Sequence, residues 1–241
     1  GSPDLLVKKY HKPPSADKQS KIRAMAALSK SGLRDFAAWP IMPYLERGQI
    51  AGFVMPRIAD ARDVHALYSP KARKQHFPNA DWGHLVQAAL NMAAAFHNVH
   101  ELGAIIGDVN QSSVFVRKDM QVVLIDCDSM QFAANGQSYP CEVGVPIFTP
   151  PELQQQSLRN QVRTKNHDAF GLAVLIFHLL FLGRHPFAGR PLAATDLPIE
   201  KAIQEYRFAY SIARQTQLAP PPNTLAFSAL PADIASLFER A

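Results

Sequence analysis

The sequence predicts an α+β protein with a small β-rich portion over residues 1–58 and a larger helical portion over residues 59–241, the two forming one domain. Short apolar runs separated by turn residues fill the first third, as strands do. From residue 82 onward the apolar residues recur at helical spacing. With 241 residues and 47% hydrophobic content, the chain can bury a sizeable core as one large domain or two lobes.

The elements are expected in the following order. "LLVKKY" (5–10) reads as a strand, and "KQSKIRAMAALSKSG" (18–32) has helical spacing with Gly32 as its stop. "AWPIMPYLERGQIAGFVMPRI" (38–58) reads as two strands joined at Gly48. Pro56 and Pro70 bracket 55–70, which reads as a crossing segment. "WGHLVQAALNMAAAFHNVHELG" (82–103) sets Leu85, Ala88, Ala89, Met92, Ala93 and Phe96 on one helix face and ends at Gly103. "GDVNQSSVFVRKDMQVVLIDCDS" (107–129) reads as a hairpin, 129–152 as loop, 168–182 as an apolar core helix, and a Pro-rich stretch (186–198) precedes further helical pattern. Its 19 prolines are scattered punctuation, with no internal repeat and no low-complexity tract. The opening "GSP" reads as an expression scar and the closing "LFERA" as mid-helix, so the chain is expected to be part of a longer protein.

Composition narrows the function classes. Two cysteines, Cys127 and Cys141, make no disulfide framework, and no signal-like run opens the chain, so a cytoplasmic protein is expected. "FGLAVLIFHLLFLG" (170–183) is too short to span a bilayer and carries His178, expected to be a satisfied buried polar residue; no membrane is implied. The net charge of +5 is mostly dispersed, with a modest cluster in "KKYHKPPSADKQSKIR" (8–23) that could favour phosphates; a bare basic balance of this kind is not expected to mark a nucleic-acid partner.

The chemistry concentrates in 107–129. Asp108 and Asp126 lie 18 residues apart, each where an apolar run meets a turn, so a hairpin between them brings both carboxylates to one end. One acid could then hold a divalent cation and the other a substrate hydroxyl, the division of labour that phosphoryl transfer needs. An ionised Asp126 at the end of the apolar "VVLID" run needs a cation or donors.

A long helix followed by "IGDVNQSSV", "LIDCDS", "PPEL" and "HDAFGLAVLIF" in that order resembles the protein kinase superfamily over roughly residues 5–241. The resemblance implies a bilobal kinase-like fold that binds ATP and Mg2+ and phosphorylates serine or threonine on a protein substrate. In it Lys8 takes the place of the strand lysine that grips the nucleotide phosphates, with Lys9 as the register alternative. Asp108 takes that of the catalytic-loop aspartate and Asp126 that of the metal-binding aspartate. Met55 falls at the gatekeeper, and Pro56, Arg57 and Ile58 at the hinge; Phe115 and Ile125 are implied to line the nucleotide site. Glu152 and Asp168 correspond to scaffolding acids, one pairing with an arginine, the other accepting backbone N–H bonds from the catalytic loop.

The sequence departs from the family at several places. Ser113 replaces the asparagine that holds a second metal, and Ile106-Gly107 replaces His-Arg before the aspartate. Asn110 and Val145 stand where serine/threonine kinases keep a lysine and a threonine. Cys127 and Asp128 replace the Phe-Gly of Asp-Phe-Gly, Asp128 serving either a metal or the loop, and the helix 18–31 offers no glutamate to Lys8. A pseudokinase acting as a nucleotide-binding or scaffolding module is therefore the alternative reading. A phosphotransferase of the aminoglycoside type would leave "TPPEL" followed by "HDAFG" unexplained. The wording most resembles a bacterial branch, some of whose members carry C-terminal helix-hairpin-helix modules, associated with a PP2C-type phosphatase and a von Willebrand A-type protein.

Overall fold

The computed structural model describes residues 4–29, 33, 35–192 and 196–241, and in it helices mix with small antiparallel sheets as an α+β fold. "GSP" at 1–3 and the expected helix stop Gly32 lie outside the described residues. β1 (Leu5–Lys9), β2 (Met42–Glu46) and β3 (Gln49–Pro56) form a sheet in the order β1-β3-β2, with the β2–β3 turn at Arg47–Gly48 as expected. Cross-strand partners share a face of a sheet, so the pairings Lys8–Phe53 and Leu6–Met55 put those four side chains on one side and Lys9 on the other.

Helix α1 (Ala16–Leu28) starts earlier than its spacing predicts because the Ser15 side chain caps it, accepting from the N–H of Lys18. Ile22 packs with Ile50 and Phe53 under the sheet, whereas Ala24 and Met25 enter the main core. The crossing segment is more structured than its prolines suggest. It holds β4 (Ala61–Asp63), α2 (Val64–Tyr68) and the start of α3 (Pro70–His76), because Pro56 closes β3 and Pro70 occupies the first turn of α3, where a missing N–H costs nothing.

α4 (Trp82–Glu101) is capped by Asp81 and buries Leu85, Ala88, Ala89, Met92, Ala95, Phe96 and Val99. Ala93, expected on that face, sits at its half-buried edge. The expected hairpin is β5 (Val114–Arg117) and β6 (Val122–Leu124), widened to three strands by β4 against β5. Residues 36–38 run beside β6: the Ala38 N–H donates to Leu124 and the Leu124 N–H donates to Phe36, both at 2.8 Å. This pairing draws the end of β6 towards the first sheet.

The segment read as loop contains a second hairpin, β7 (Phe132–Ala134) with β8 (Gln137–Tyr139), turning at Asn135–Gly136 with both residues at positive φ. α5 (Lys165–Leu180), capped by Thr164, packs along α4. Beyond it β9 (Arg190–Pro191) pairs with β10 (Leu218–Ala219), flanked by α6 (Ile199–Gln204) and α7 (Ala232–Arg240) around an aromatic cluster that includes Phe177, Phe181, Phe208 and Phe227. His178 is buried as expected, with backbone groups at Gly183 and Arg184 as weak hydrogen-bond partners. Its ring stacks on Tyr68 at 5.0 Å, and burial, with His185 adjacent, holds its pKa down to about 3, so it is neutral. Among the described residues no helix is long and apolar enough to cross a membrane.

Candidate active site

The loop that carries Asp108 hangs from α5. Asp168, almost fully buried in the first turn of that helix, accepts the N–H bonds of Ile106 and Gly107 at 2.8 Å each, and its other contact is His100 Nε2 at 2.8 Å. Gly107 has φ +72°, and a Cβ there would lie 2.6 Å from the Cβ and Sγ of Cys141. Backbone conformation and space thus both require glycine where the kinase pattern has arginine.

After Asp108 the loop closes on itself. Asn110 Nδ2 donates to the Asp108 carbonyl at 3.1 Å and to its Oδ1 at 3.2 Å, while Asn110 Oδ1 accepts from the Ser112 N–H at 2.9 Å. Ser113 is buried, and its hydroxyl donates to the Asn110 carbonyl at 2.8 Å and more weakly to that of Asp108 at 3.4 Å. Its Oγ therefore faces the loop's own backbone. Burial raises the Asp108 pKa from its ordinary value; the Asn110 bond opposes this, the Asp126 charge adds to it, and the Arg163 charge opposes it.

Asp126, two residues beyond β6, lies in the left-handed region at φ +55°, with its side chain 57% exposed. Its Oδ1 accepts from Lys8 Nζ at 2.9 Å, a bond that joins the first sheet to the hairpin. The register alternative separates cleanly: Lys9 lies on the opposite face and pairs with Glu46 at 2.8 Å. Lys8 also donates to Asp128 Oδ1 at 2.8 Å, and its ammonium lies 5.8 Å from the centre of the Phe53 ring. Burial works to lower the Lys8 pKa, but the bonds from Asp128 and Asp126 outweigh it and leave the value raised.

Asp128, with its side chain 7% exposed, is the most connected acid of the group. Besides Lys8 it takes Tyr10 Oη at 2.8 Å and Lys18 Nζ at 2.9 Å, and Lys18 also donates to its carbonyl at 2.8 Å. Burial alone would raise its pKa; Lys18 and Lys8 overcome this and lower it. Neither open reading of Asp128, metal ligand or loop cap, describes these contacts: its carboxylate is bonded to side chains of β1, of the residue after it and of α1. No pattern in the sequence singles out Tyr10 or Lys18, although both lie in the basic cluster at 8–23.

The residues implied to contact a nucleotide are placed as follows. Met55 is half-buried on β3, on the Lys8 face of the sheet, against the Ile22 cluster. Pro56 ends β3, the Arg57 N–H donates to the Asp4 carbonyl at 2.8 Å, and Ile58 follows in irregular chain. Phe115 is half-buried in β5 opposite Val123, and the N–H of half-buried Ile125 donates to the Ser113 carbonyl at 2.9 Å. The arginine expected opposite Glu152 is replaced by His167, whose Nε2 lies 3.5 Å from the carboxylate. Arg163 is buried elsewhere, donating from Nη2 to the Val143 carbonyl at 3.1 Å.

No family model matches the chain. It is 45% identical over 243 residues to Protein kinase YegI of Escherichia coli (strain K12), an alignment covering 99% of this chain and 38% of that protein. The same identity and coverage relate it to Protein kinase YegI of Escherichia coli O157:H7. The chain thus spans about two fifths of the length of these curated relatives.

Proposed function

We propose that this chain is a kinase domain of two lobes, residues 1–58 and 59–241 with 56–58 as hinge, that transfers the γ-phosphoryl group of ATP to serine or threonine hydroxyls of a protein. The observation that carries this reading is the Lys8–Asp126 bond across two separate sheets, with Asp108 close enough to feel the Asp126 charge. The 45% identity to proteins named as protein kinases supports it.

In this reading each residue acts according to its surroundings. Lys8 holds the phosphates as a point charge, and Met55, Pro56, Arg57, Ile58, Phe115 and Ile125 frame the base. Asp108, anchored through Asp168 and Asn110, orients the acceptor hydroxyl and takes its proton, and its raised pKa strengthens it as a base. Asp126 presents the carboxylate most open to solvent. Magnesium usually takes one or two protein carboxylates together with phosphate oxygens and waters, so the site fits it without a dedicated cage. Such an ion would neutralise charge developing on the phosphates. Ser113 would add a ligand only by giving up its bonds inside the loop.

That engagement of Ser113, together with Asn110 in place of lysine, favours the second reading, a pseudokinase that binds nucleotide and signals by contact. Incubation with γ-labelled ATP and Mg2+ separates the two. The enzyme reading predicts label on serine or threonine of the chain or of an added protein, lost in Asp108→Ala and Asp126→Ala. Nucleotide binding without transfer would leave the pseudokinase. The partners we propose are a protein substrate and, from the branch resembled, a PP2C-type phosphatase and a von Willebrand A-type protein, in the cytoplasm.

A further inference from the structure

We infer that Asp128 is the positioning residue for Lys8, and that it ties helix α1 to the nucleotide site through Lys18 with the charges arranged cation on the helix and anion on the loop. The inference rests on the nucleotide-binding reading above and deepens it. Three donors from two elements converge on one buried carboxylate: Lys8 and Tyr10 from β1 and the residue after it, and Lys18 from α1. A carboxylate this buried stays ionised and in place only while such donors hold it.

The two acids that touch Lys8 differ in kind. Asp126 is 57% exposed and Lys8 is the one side chain bonded to its carboxylate among the described residues, so it can turn to another cation. Asp128 is 7% exposed and held by three side chains. When Asp126 is drawn to other work, Asp128 still fixes the Lys8 ammonium, leaving its remaining protons for an incoming anion. The helix bears no glutamate for this task. What it bears is Lys18, which binds both the carboxylate and the carbonyl of Asp128, so a shift of α1 is felt at Lys8 through one intervening residue.

The test compares affinities for ATP with Mg2+ and for adenosine, which lacks phosphates, by calorimetry in the wild type, Asp128→Asn, Lys8→Met, the double variant and Lys18→Met. We expect ATP affinity to fall about 10-fold in Asp128→Asn with adenosine affinity unchanged, and the double variant to be no weaker than Lys8→Met alone, because the two residues act as a unit. Lys18→Met should lose about 3-fold for ATP only; should Asp128→Asn fail to fold, this variant decides, and wild-type ATP affinity in it would overturn the inference. Wild-type ATP affinity in folded Asp128→Asn, or equal losses for ATP and adenosine, would also overturn it. A wild-type protein that binds neither ligand would instead overturn the nucleotide-binding reading.

Discussion

Lys21 shows how a single residue can carry a cost that its neighbours impose. It is 7% exposed, and its ammonium donates to the Ser129 and Pro140 carbonyls at 3.2 and 3.1 Å. Burial, reinforced by the Lys18 charge, lowers its pKa to about 8, against an unfolded value of about 10.4. Between those values the unfolded chain holds a proton that the folded chain has released, so folding stability due to Lys21 rises with pH across that window and is constant below it. In urea unfolding at a series of pH values, wild-type stability relative to Lys21→Met should increase from pH 8 to pH 10; a flat difference would show that Lys21 is not perturbed as described. At this scale the sequence was legible in Asp126's need for a cation or donors, but not in its surroundings, since its side chain is 57% exposed where the apolar run had implied a buried strand end. Asp126 had to find a cation and found Lys8. Asp128 was not legible, because nothing local marks it for burial and only folding selects Lys18 and Tyr10 from the other polar residues of the cluster.

At the scale of elements, the join between α5 and the Asp108 loop is the contact on which the site's geometry depends most. Asp168→Ala would leave the Ile106 and Gly107 N–H groups without their acceptor in a largely buried place, at about 1–3 kcal/mol for each. We predict a loss of about 3 kcal/mol or more in chemical unfolding, with Asp168→Asn recovering part of it; a loss under about 0.5 kcal/mol, as at ordinary surface sites, would contradict the scaffold role. Periodicity revealed the long helices because each buries a continuous stripe. It missed the β7–β8 hairpin, whose strands have three residues each and are too short to show alternation, although Asn135-Gly136 is a strong local hairpin signal. It also read β4 and α2 as irregular, since a three-residue strand and a five-residue helix owe their form to β5 and the core rather than to local pattern.

For the whole molecule, the order of motifs along the chain carried more information than any one of them. Lys8 and Asp126 are separated by 118 residues and meet because residues 36–38 pair with β6 while β1 pairs with β3. The central claim is that this meeting point is a nucleotide phosphate site, and the most direct measurement is an ATP binding isotherm with and without Mg2+. We predict saturable binding that Mg2+ strengthens, weakened about 10-fold or more in folded Lys8→Met, and no longer strengthened by Mg2+ in folded Asp126→Asn. Absence of binding, or binding indifferent to Mg2+ and to both substitutions, would contradict it.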